Sequence, residues 1–378
     1  MIDSIKIFNG SKKDFEKFVA DNIDDNEYTI PFMDLIQHYN ARLRPSESGT
    51  SENQLSEKII VDNCIVRADD YDSVLEHALA NFAGVVTLNH DIGTLFLQNP
   101  PKKVKDSLER YADSTECFNS EYLNLNRNYL RNIYLNIEKD ILGQELCKKQ
   151  IISSLYRMTT KNDNKPAVLL MYGPSGVGKT EMAKSISKSF GGELLRIQFS
   201  MMQTNEAYNY IFGAEHSKGS LARDMLGRES NVILFDEFDK VNPLFYNAFY
   251  ELFDEGKFVD INYEVNLSDA IIICTCNFSN IEEIAKNMGP AMFSRIGSCI
   301  EFFGLNNEQK GQIVEKWYDS ILKTLNPEEI QFIKNTDILE WFKENTDRYE
   351  NIRILKTKLE NAIFNKLTEE FVLKNVKR

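Results

Sequence analysis

The amino-acid sequence predicts an α/β fold: a parallel sheet between helices, with a helical C-terminal region and a small α+β module in front. The first observation is three strongly apolar runs, at residues 167–172, 232–235 and 270–274. Such runs are typical of strands buried on both faces of a parallel sheet. The second is helical spacing near the C-terminus, where one stripe repeats every four residues: Leu355, Leu359, Ile363 and Leu367.

The first third of the chain, residues 1–125, mixes helix-like and strand-like stretches and contains no motif tied to chemistry. Apolar runs at residues 85–88 and 94–97 flank a turn at 89–93, which predicts a hairpin. We therefore expect a small α+β domain here. Because the chemical motifs lie elsewhere, its expected role is to recognise a partner.

Residues 173–181 follow the first buried run and open a helix. The order of strand, glycine-rich loop and helix is the setting of a phosphate-binding P-loop, or Walker A motif. Glycines let backbone amides turn towards a phosphate, and the helix N-terminus adds a partial positive charge. A lysine reaches the β- and γ-phosphates, and a threonine hydroxyl ligates Mg²⁺. The predicted nucleotide-binding residues are Gly173, Pro174, Ser175, Gly176, Val177, Gly178, Lys179, Thr180 and Glu181.

The second and third apolar runs each end in polar residues. Asp236 and Glu237 follow the second run, and Asn277 follows the third. Ligands of open α/β sheets bind at the carboxyl ends of the strands. We expect Asp236 to hold Mg²⁺ together with Thr180, and Glu237 to act as the general base on the attacking water. Asn277 is expected to orient that water near the γ-phosphate.

The order of these motifs resembles the AAA+ ATPases, and more narrowly the C-terminal AAA+ module of the Clp chaperone family. The segment 141–144, Ile-Leu-Gly-Gln, is similar to that family's Ile-Gly-Gln motif, which implies that Ile141 and Leu142 contact adenine. Residues 289–297 resemble its Phe-x-x-Arg-Ile-Asp segment. Residues 351–356 resemble its Gly-Ala-Arg-x-Leu-Lys motif. The resemblance implies that Arg295 is an arginine finger acting in a neighbouring subunit and that Arg353 reads the γ-phosphate within its own subunit.

The resemblance covers residue 130 to the end and implies three domains. Residues 1–125 form the recognition domain, 126–303 the large ATPase subdomain, and 304–378 a helical lid. The implied ligands are ATP and Mg²⁺, and the implied assembly is a homo-oligomer, with a hexamer expected.

The composition of the chain limits the kinds of partner and the cellular compartment that we expect for this protein. The net charge of −13 and a pI near 5.0 disfavour nucleic acid, because phosphate backbones repel an acidic chain. No apolar stretch approaches the ~20 residues that a membrane span requires. The six cysteines are scattered and fit neither a disulfide framework nor a zinc pattern, which predicts the reducing cytoplasm and buried thiols at Cys274 and Cys276.

The sequence departs from the Clp pattern at residues 215–220, Glu-His-Ser-Lys-Gly-Ser. Clp unfoldases carry an aromatic residue there that grips the threaded polypeptide. Tyr208 and Tyr210 lie upstream, with spacing that suits the helix leading into the loop. The departure puts processive unfolding in doubt and leaves ATP hydrolysis intact.

Four functions follow from these observations. The first is a ring or spiral ATPase that remodels a protein partner recruited by the N-terminal domain. The second is an ATP-gated oligomeric scaffold that activates an effector, in stress or anti-phage defence, without threading. A DNA-linked loader is disfavoured by the acidic charge. A GTPase switch is disfavoured because no guanine-reading Asn-Lys-x-Asp motif is evident.

Overall fold

The computed structural model describes residues 1–43, 58–123, 125–160, 165–201, 205–215 and 218–374. His216, in the segment where the sequence departs from the Clp pattern, lies outside these ranges. Within them, the strands are β1 Ile2–Asn9, β2 Thr29–Pro31, β3 Ile59–Val66, β4 His90–Gln98, β5 Thr115–Asn119, β6 Ala167–Tyr172, β7 Leu195–Gln198, β8 Val232–Asp236, β9 Lys257–Val259, β10 Glu264–Asn266, β11 Ile271–Thr275 and β12 Ser298–Glu301.

The helices alternate with the strands up to β12 and then follow one another. They are α1 Lys12–Ala20, α2 Phe32–Leu43, α3 Glu76–Ala80, α4 Phe82–Thr87, α5 Lys102–Ser107, α6 Arg127–Asp140, α7 Glu145–Tyr156, α8 Lys179–Lys188, α9 Asn205–Phe212, α10 Leu221–Leu226, α11 Tyr250–Glu255, α12 Ile281–Phe293, α13 Asn307–Leu322, α14 Pro327–Lys334, α15 Ile338–Glu344 and α16 Ile352–Leu367. None of the described helices is long and apolar enough to cross a bilayer.

The sheet that contains β6, the strand before the glycine-rich loop, has the order β12-β6-β11-β8-β7, and every neighbouring pair is parallel. Alternate residues of its strands enter two apolar cores, one on each face. For example, Leu170 and Cys274 face one core, whereas Leu169 and Ile273 face the other. The predicted α/β fold with a parallel sheet between helices is confirmed, and so is the burial of Cys274 and Cys276, each 1% exposed.

The N-terminal module differs from the prediction. Its sheet has the order β2-β3-β4-β1-β5 and is parallel throughout, so this part of the chain is α/β, and the predicted α+β class is wrong. The predicted hairpin is also wrong: its first strand is helix α4, and its second lies in β4. Short apolar runs do not distinguish a buried helix from a strand, because both place several apolar side chains in the core.

The C-terminal helices form a separate apolar core. Leu355, Leu359 and Ile363 of α16 are fully buried and pack with residues of α13 and α15. The stripe predicted from the sequence is therefore core. The domain boundaries that we propose at 125/126 and 303/304 fall in the connections between β5 and α6 and between β12 and α13.

The two sheets are linked by specific contacts. The guanidinium of Arg223, on α10, binds the carboxylates of Asp72 at 2.6 Å and Asp69 at 3.3 Å. The amide of Lys102 donates to the carbonyl of Asn262 at 2.8 Å, between β9 and β10. The Tyr122 hydroxyl donates to the carbonyl of Arg228 at 3.1 Å. The N-terminal module thus rests on α10 and on the β9–β10 hairpin.

Candidate functional site

The glycine-rich loop connects β6 to α8. Its three glycines have positive φ, at 128° for Gly173, 83° for Gly176 and 104° for Gly178. Residues with a side chain rarely adopt such backbone angles, so glycine is needed for the loop to turn tightly here. Helix α8 begins at Lys179, immediately after the loop, and directs its unpaired N-terminal amides towards the same space. The geometry is that of an anion cradle.

Lys179 lies at the centre of this cradle. Its ammonium donates to the carbonyl oxygens of Gly173 at 2.6 Å and Pro174 at 2.8 Å, and to Oδ1 of Asn277 at 3.1 Å. Burial lowers the pKa of Lys179 from its usual value, and nearby acidic groups oppose this shift. The lysine and the asparagine predicted from separate motifs are therefore in direct contact.

The Asp236 carboxylate ends strand β8 and is almost fully buried. The Thr275 hydroxyl donates to its Oδ1, and the Thr180 hydroxyl lies 3.5 Å from Oδ1 and 3.4 Å from Oδ2. The pairing of a threonine hydroxyl with a carboxylate is a donor set that suits Mg²⁺, which prefers oxygen ligands. Arg196 also binds Oδ2, with Nη2 at 2.5 Å and Nε at 2.9 Å.

Glu237 follows Asp236 with a left-handed backbone, φ 56°. Its amide donates to the Thr275 hydroxyl at 2.9 Å, which accounts for the fixed turn. The turn re-aims the chain, so that the two consecutive acids, Asp236 and Glu237, both face one cavity. Oε2 of Glu237 accepts from the side-chain nitrogen Nε2 of Gln198, at 3.5 Å, on the neighbouring strand β7.

One cavity of about 620 Å³ contains most of the predicted site. The predicted residues that line it are Ile141, Leu142, Ser175, Gly176, Val177, Gly178, Lys179, Thr180, Glu181, Asp236, Glu237, Asn277 and Arg353. Gly173 and Pro174, at the start of the loop, are not among the lining residues and contribute carbonyl oxygens to Lys179.

The segment at residues 141–144 connects helix α6 to helix α7. Gly143 and Gln144 have φ of 66° and 62°, and they form a tight turn between α6 and α7. The Gln144 side chain donates to the carbonyl of Phe303 at 2.7 Å and accepts from its amide at 3.1 Å. These bonds fix the apolar end of the cavity, where Ile141 and Leu142 lie, to the connection between β12 and α13.

Arg295 lies apart from this cavity. Its Nε donates to Asp254 Oδ2 at 2.8 Å and its Nη1 to the Ala291 carbonyl at 2.6 Å. The guanidinium also stacks over the Tyr250 ring, 4.2 Å from its centroid. Arg353, by contrast, lines the cavity from the first turn of α16. The two arginines therefore occupy different places relative to the same site.

Sequence reasoning missed several residues of the site. Arg196 is one, and Thr275 is another, since its hydroxyl joins the two acids. Lys356 and Trp317 also line the cavity, with the Lys356 ammonium 4.4 Å from the Trp317 ring centroid. The position of Lys356, three residues after Arg353 on a helix, was a usable signal. Arg196 gave none, because its partner is forty residues away.

Together, the fold and the site define a P-loop nucleoside triphosphatase. A family described as "AAA domain (Cdc48 subfamily)" matches residues 164–333. Similar curated proteins include the "ATP-dependent Clp protease ATP-binding subunit ClpL" of Staphylococcus aureus strains bovine RF122 / ET3-1, MRSA252 and USA300. Each is 27% identical over 269 residues, covering 64% of this chain and 38% of the relative.

Residues 164–333 of this chain thus match an AAA ATPase domain, and its C-terminal part is similar to Clp-type AAA+ ATPases. The resemblance seen in its motifs is thereby confirmed. The match spans well under half of the length of the relatives, so their activity on other proteins is not carried over by similarity alone.

Proposed function

We propose that this chain hydrolyses ATP in a site that two copies of it complete, and that the energy is used to remodel a protein partner. One observation carries the proposal: a single cavity collects the phosphate loop, the two acids, Asn277 and Arg353, whereas Arg295 is held outside it. A second copy would bring its own Arg295 to that cavity in a head-to-tail assembly.

The predicted residues of the site have different roles in binding and hydrolysing ATP. Loop amides and Lys179 bind the phosphates, and Thr180 with Asp236 would hold Mg²⁺. When bound, Mg²⁺ neutralises charge on the phosphate oxygens. Glu237 accepts a proton from the attacking water, with Asn277 orienting that water. Arg353 contacts the phosphates from the lid, and the neighbour's finger, Arg295, stabilises the developing charge.

The shared site is tested by mixing two inactive variants, Glu237→Gln and Arg295→Ala. In the mixture, some interfaces pair an intact Glu237 with a neighbour's intact Arg295. Random equal mixing would restore about one quarter of wild-type turnover in a head-to-tail ring. A mixture as inactive as its components, although the variants co-assemble, would refute a shared site.

The partner is proposed to be a protein held by the N-terminal module. Two features support this. The acidic charge disfavours nucleic acid. The module also contacts the connection between β9 and β10, and the chain continues from there through β10 into β11 and so towards Asn277. Movement at the nucleotide can therefore be transmitted to whatever the module binds.

A gated scaffold that activates an effector is the second candidate, favoured by the absence of an aromatic residue among residues 215–220. Against it stands Tyr208, which is 53% exposed on helix α9 and stacks on Phe212 with ring centroids 4.7 Å apart. The two candidates are separated by incubating the protein with ATP and a stable tagged substrate. Unfolding that is lost in Tyr208→Ala supports remodelling, whereas no unfolding by the wild type supports the scaffold.

A further inference from the structure

Arg196 makes an ion pair that the nucleotide-binding motifs do not call for. It lies on β7, the edge strand of the ATPase sheet, opposite Leu234 of β8. From there its long side chain extends towards the carboxyl edge and reaches Asp236. Both guanidinium contacts, from Nη2 at 2.5 Å and Nε at 2.9 Å, are made to the same oxygen, Oδ2.

These contacts occupy the acid almost completely. A carboxylate oxygen has two lone-pair sites, and two N–H groups of Arg196 donate to Oδ2, where the longer contact is the Thr180 hydroxyl at 3.4 Å. The other oxygen, Oδ1, accepts from the Thr275 hydroxyl. Lys179, another cation of the same cavity, donates instead to Gly173, Pro174 and Asn277. Arg196 is therefore the cation that balances the buried charge of Asp236.

The two partners differ in their freedom to move. The Asp236 side chain is only 7% exposed, whereas that of Arg196 is 41% exposed. An arginine on an edge strand can rotate into solvent without leaving a cavity, provided that another cation takes its place beside the buried carboxylate of Asp236. The carboxylate would stay where Thr275 holds it.

We propose that Arg196 is a built-in counter-cation that competes with the divalent metal for Asp236 and so sets the metal concentration that the site requires. The inference rests on the proposed role of Asp236 in holding Mg²⁺. A metal, or the water that it carries, can take Oδ2 only when the guanidinium leaves. Removing Arg196 abolishes the competition and the repulsion between two cations, so the metal binds more tightly.

The test is direct binding of Mn²⁺, a spectroscopic substitute for Mg²⁺, to the full chain with ADP present. Free Mn²⁺ is counted by electron paramagnetic resonance. We expect Arg196→Gln to lower the Mn²⁺ concentration for half-saturation about tenfold, because a positive charge close to the metal is removed. Arg196→Lys, which keeps the charge, stays near the wild type. Arg131→Gln, on an exposed part of α6, is the matched control for lost charge.

Three outcomes decide the matter. Tighter Mn²⁺ binding in Arg196→Gln alone supports the proposal. Unchanged or weaker Mn²⁺ binding in that variant, with Arg196→Lys behaving likewise, overturns it. Weaker ADP binding by Arg196→Gln than by the wild type, measured in EDTA so that no metal is bound, also overturns the proposal. Arg196 would then contact a phosphate rather than compete with the metal.

A further variant separates this proposal from the function on which it rests. Asp236→Asn should weaken Mn²⁺ binding if Asp236 holds the metal. If Asp236→Asn binds Mn²⁺ as the wild type does, the proposed role of Asp236 fails. If Asp236→Asn weakens binding while Arg196→Gln leaves it unchanged, only the competition by Arg196 is refuted.

Discussion

Replacing Gly173 by alanine should destabilise the protein far more than the same change at Gly178, although both glycines belong to the phosphate loop. Both have φ above 100°, which strains any residue with a side chain. Such backbone strain costs about 1–3 kcal/mol. At Gly178 this is the whole effect, because a Cβ there meets no atom within 4 Å.

At Gly173 a collision is added to the strain. A Cβ would lie 2.2 Å from the carbonyl oxygen of Phe302, whereas real Cβ contacts are essentially never below 3.0 Å. Phe302 cannot easily retreat, since its side chain is buried and its amide donates to Tyr172 at 2.7 Å. Losing that hydrogen bond costs about 1 kcal/mol, and misfitting the packed ring costs about 1–3 kcal/mol more.

We therefore expect Gly173→Ala to lower the free energy of unfolding by about 3–7 kcal/mol and Gly178→Ala by about 1–3 kcal/mol. The assay is urea unfolding without nucleotide, followed by circular dichroism, so that lost ligand binding does not contribute. Equal destabilisation by the two substitutions would refute the collision with Phe302 as the deciding term.

Three further predictions concern other parts of the molecule. Arg223→Ala should destabilise the contact between the two sheets by about 1–3 kcal/mol in urea unfolding, since it leaves the half-buried Asp72 without its partner. Lys257→Ala, which removes an exposed ion pair with Glu264, is the control and should destabilise the protein much less, because solvent screens the pair. If both cost the same, the Arg223 contact does not join the sheets. Burial, together with the adjacent His38, lowers the pKa of His90 from its ordinary 6.5, so the folded state favours the neutral ring. The stabilisation is present above that value and is lost as the pH falls below it, at about 1.4 kcal/mol for each unit of pKa shift. Melting temperatures at pH 7.5 and 5.5 should therefore fall further apart for the wild type than for His90→Asn, and an identical pH dependence would contradict the assignment. Cys117 is exposed, whereas burial raises the pKa of Cys64 to about 12 and that of Cys274 well above its usual value. A thiol reagent should therefore label Cys117 first in the native protein, as mapped by mass spectrometry, and early labelling of Cys274 would contradict its burial.

The structure also explains which interpretations of the sequence failed. The strand predicted at residues 85–88 was misassigned because helix α4 is short and almost wholly apolar, with Phe82, Ala83, Val85 and Val86 all buried. No alternation of polar and apolar residues distinguishes such a segment from a strand. The ATPase strands β6, β8 and β11 were predicted correctly because each is an uninterrupted apolar run that is followed by the glycine-rich loop or by polar residues of the site.

The local chemistry of this protein can be predicted from short stretches of its sequence. The phosphate loop and the acids at the end of β8 each depend on neighbouring residues, whose backbone preferences and side-chain types are visible in one stretch of chain. Three contacts become visible in the folded chain alone: Arg196 binds Asp236, Lys179 binds Asn277, and Arg223 joins the two sheets. Such contacts join residues far apart in the chain. They depend on the order and register of parallel strands, which an apolar run of residues does not encode on its own.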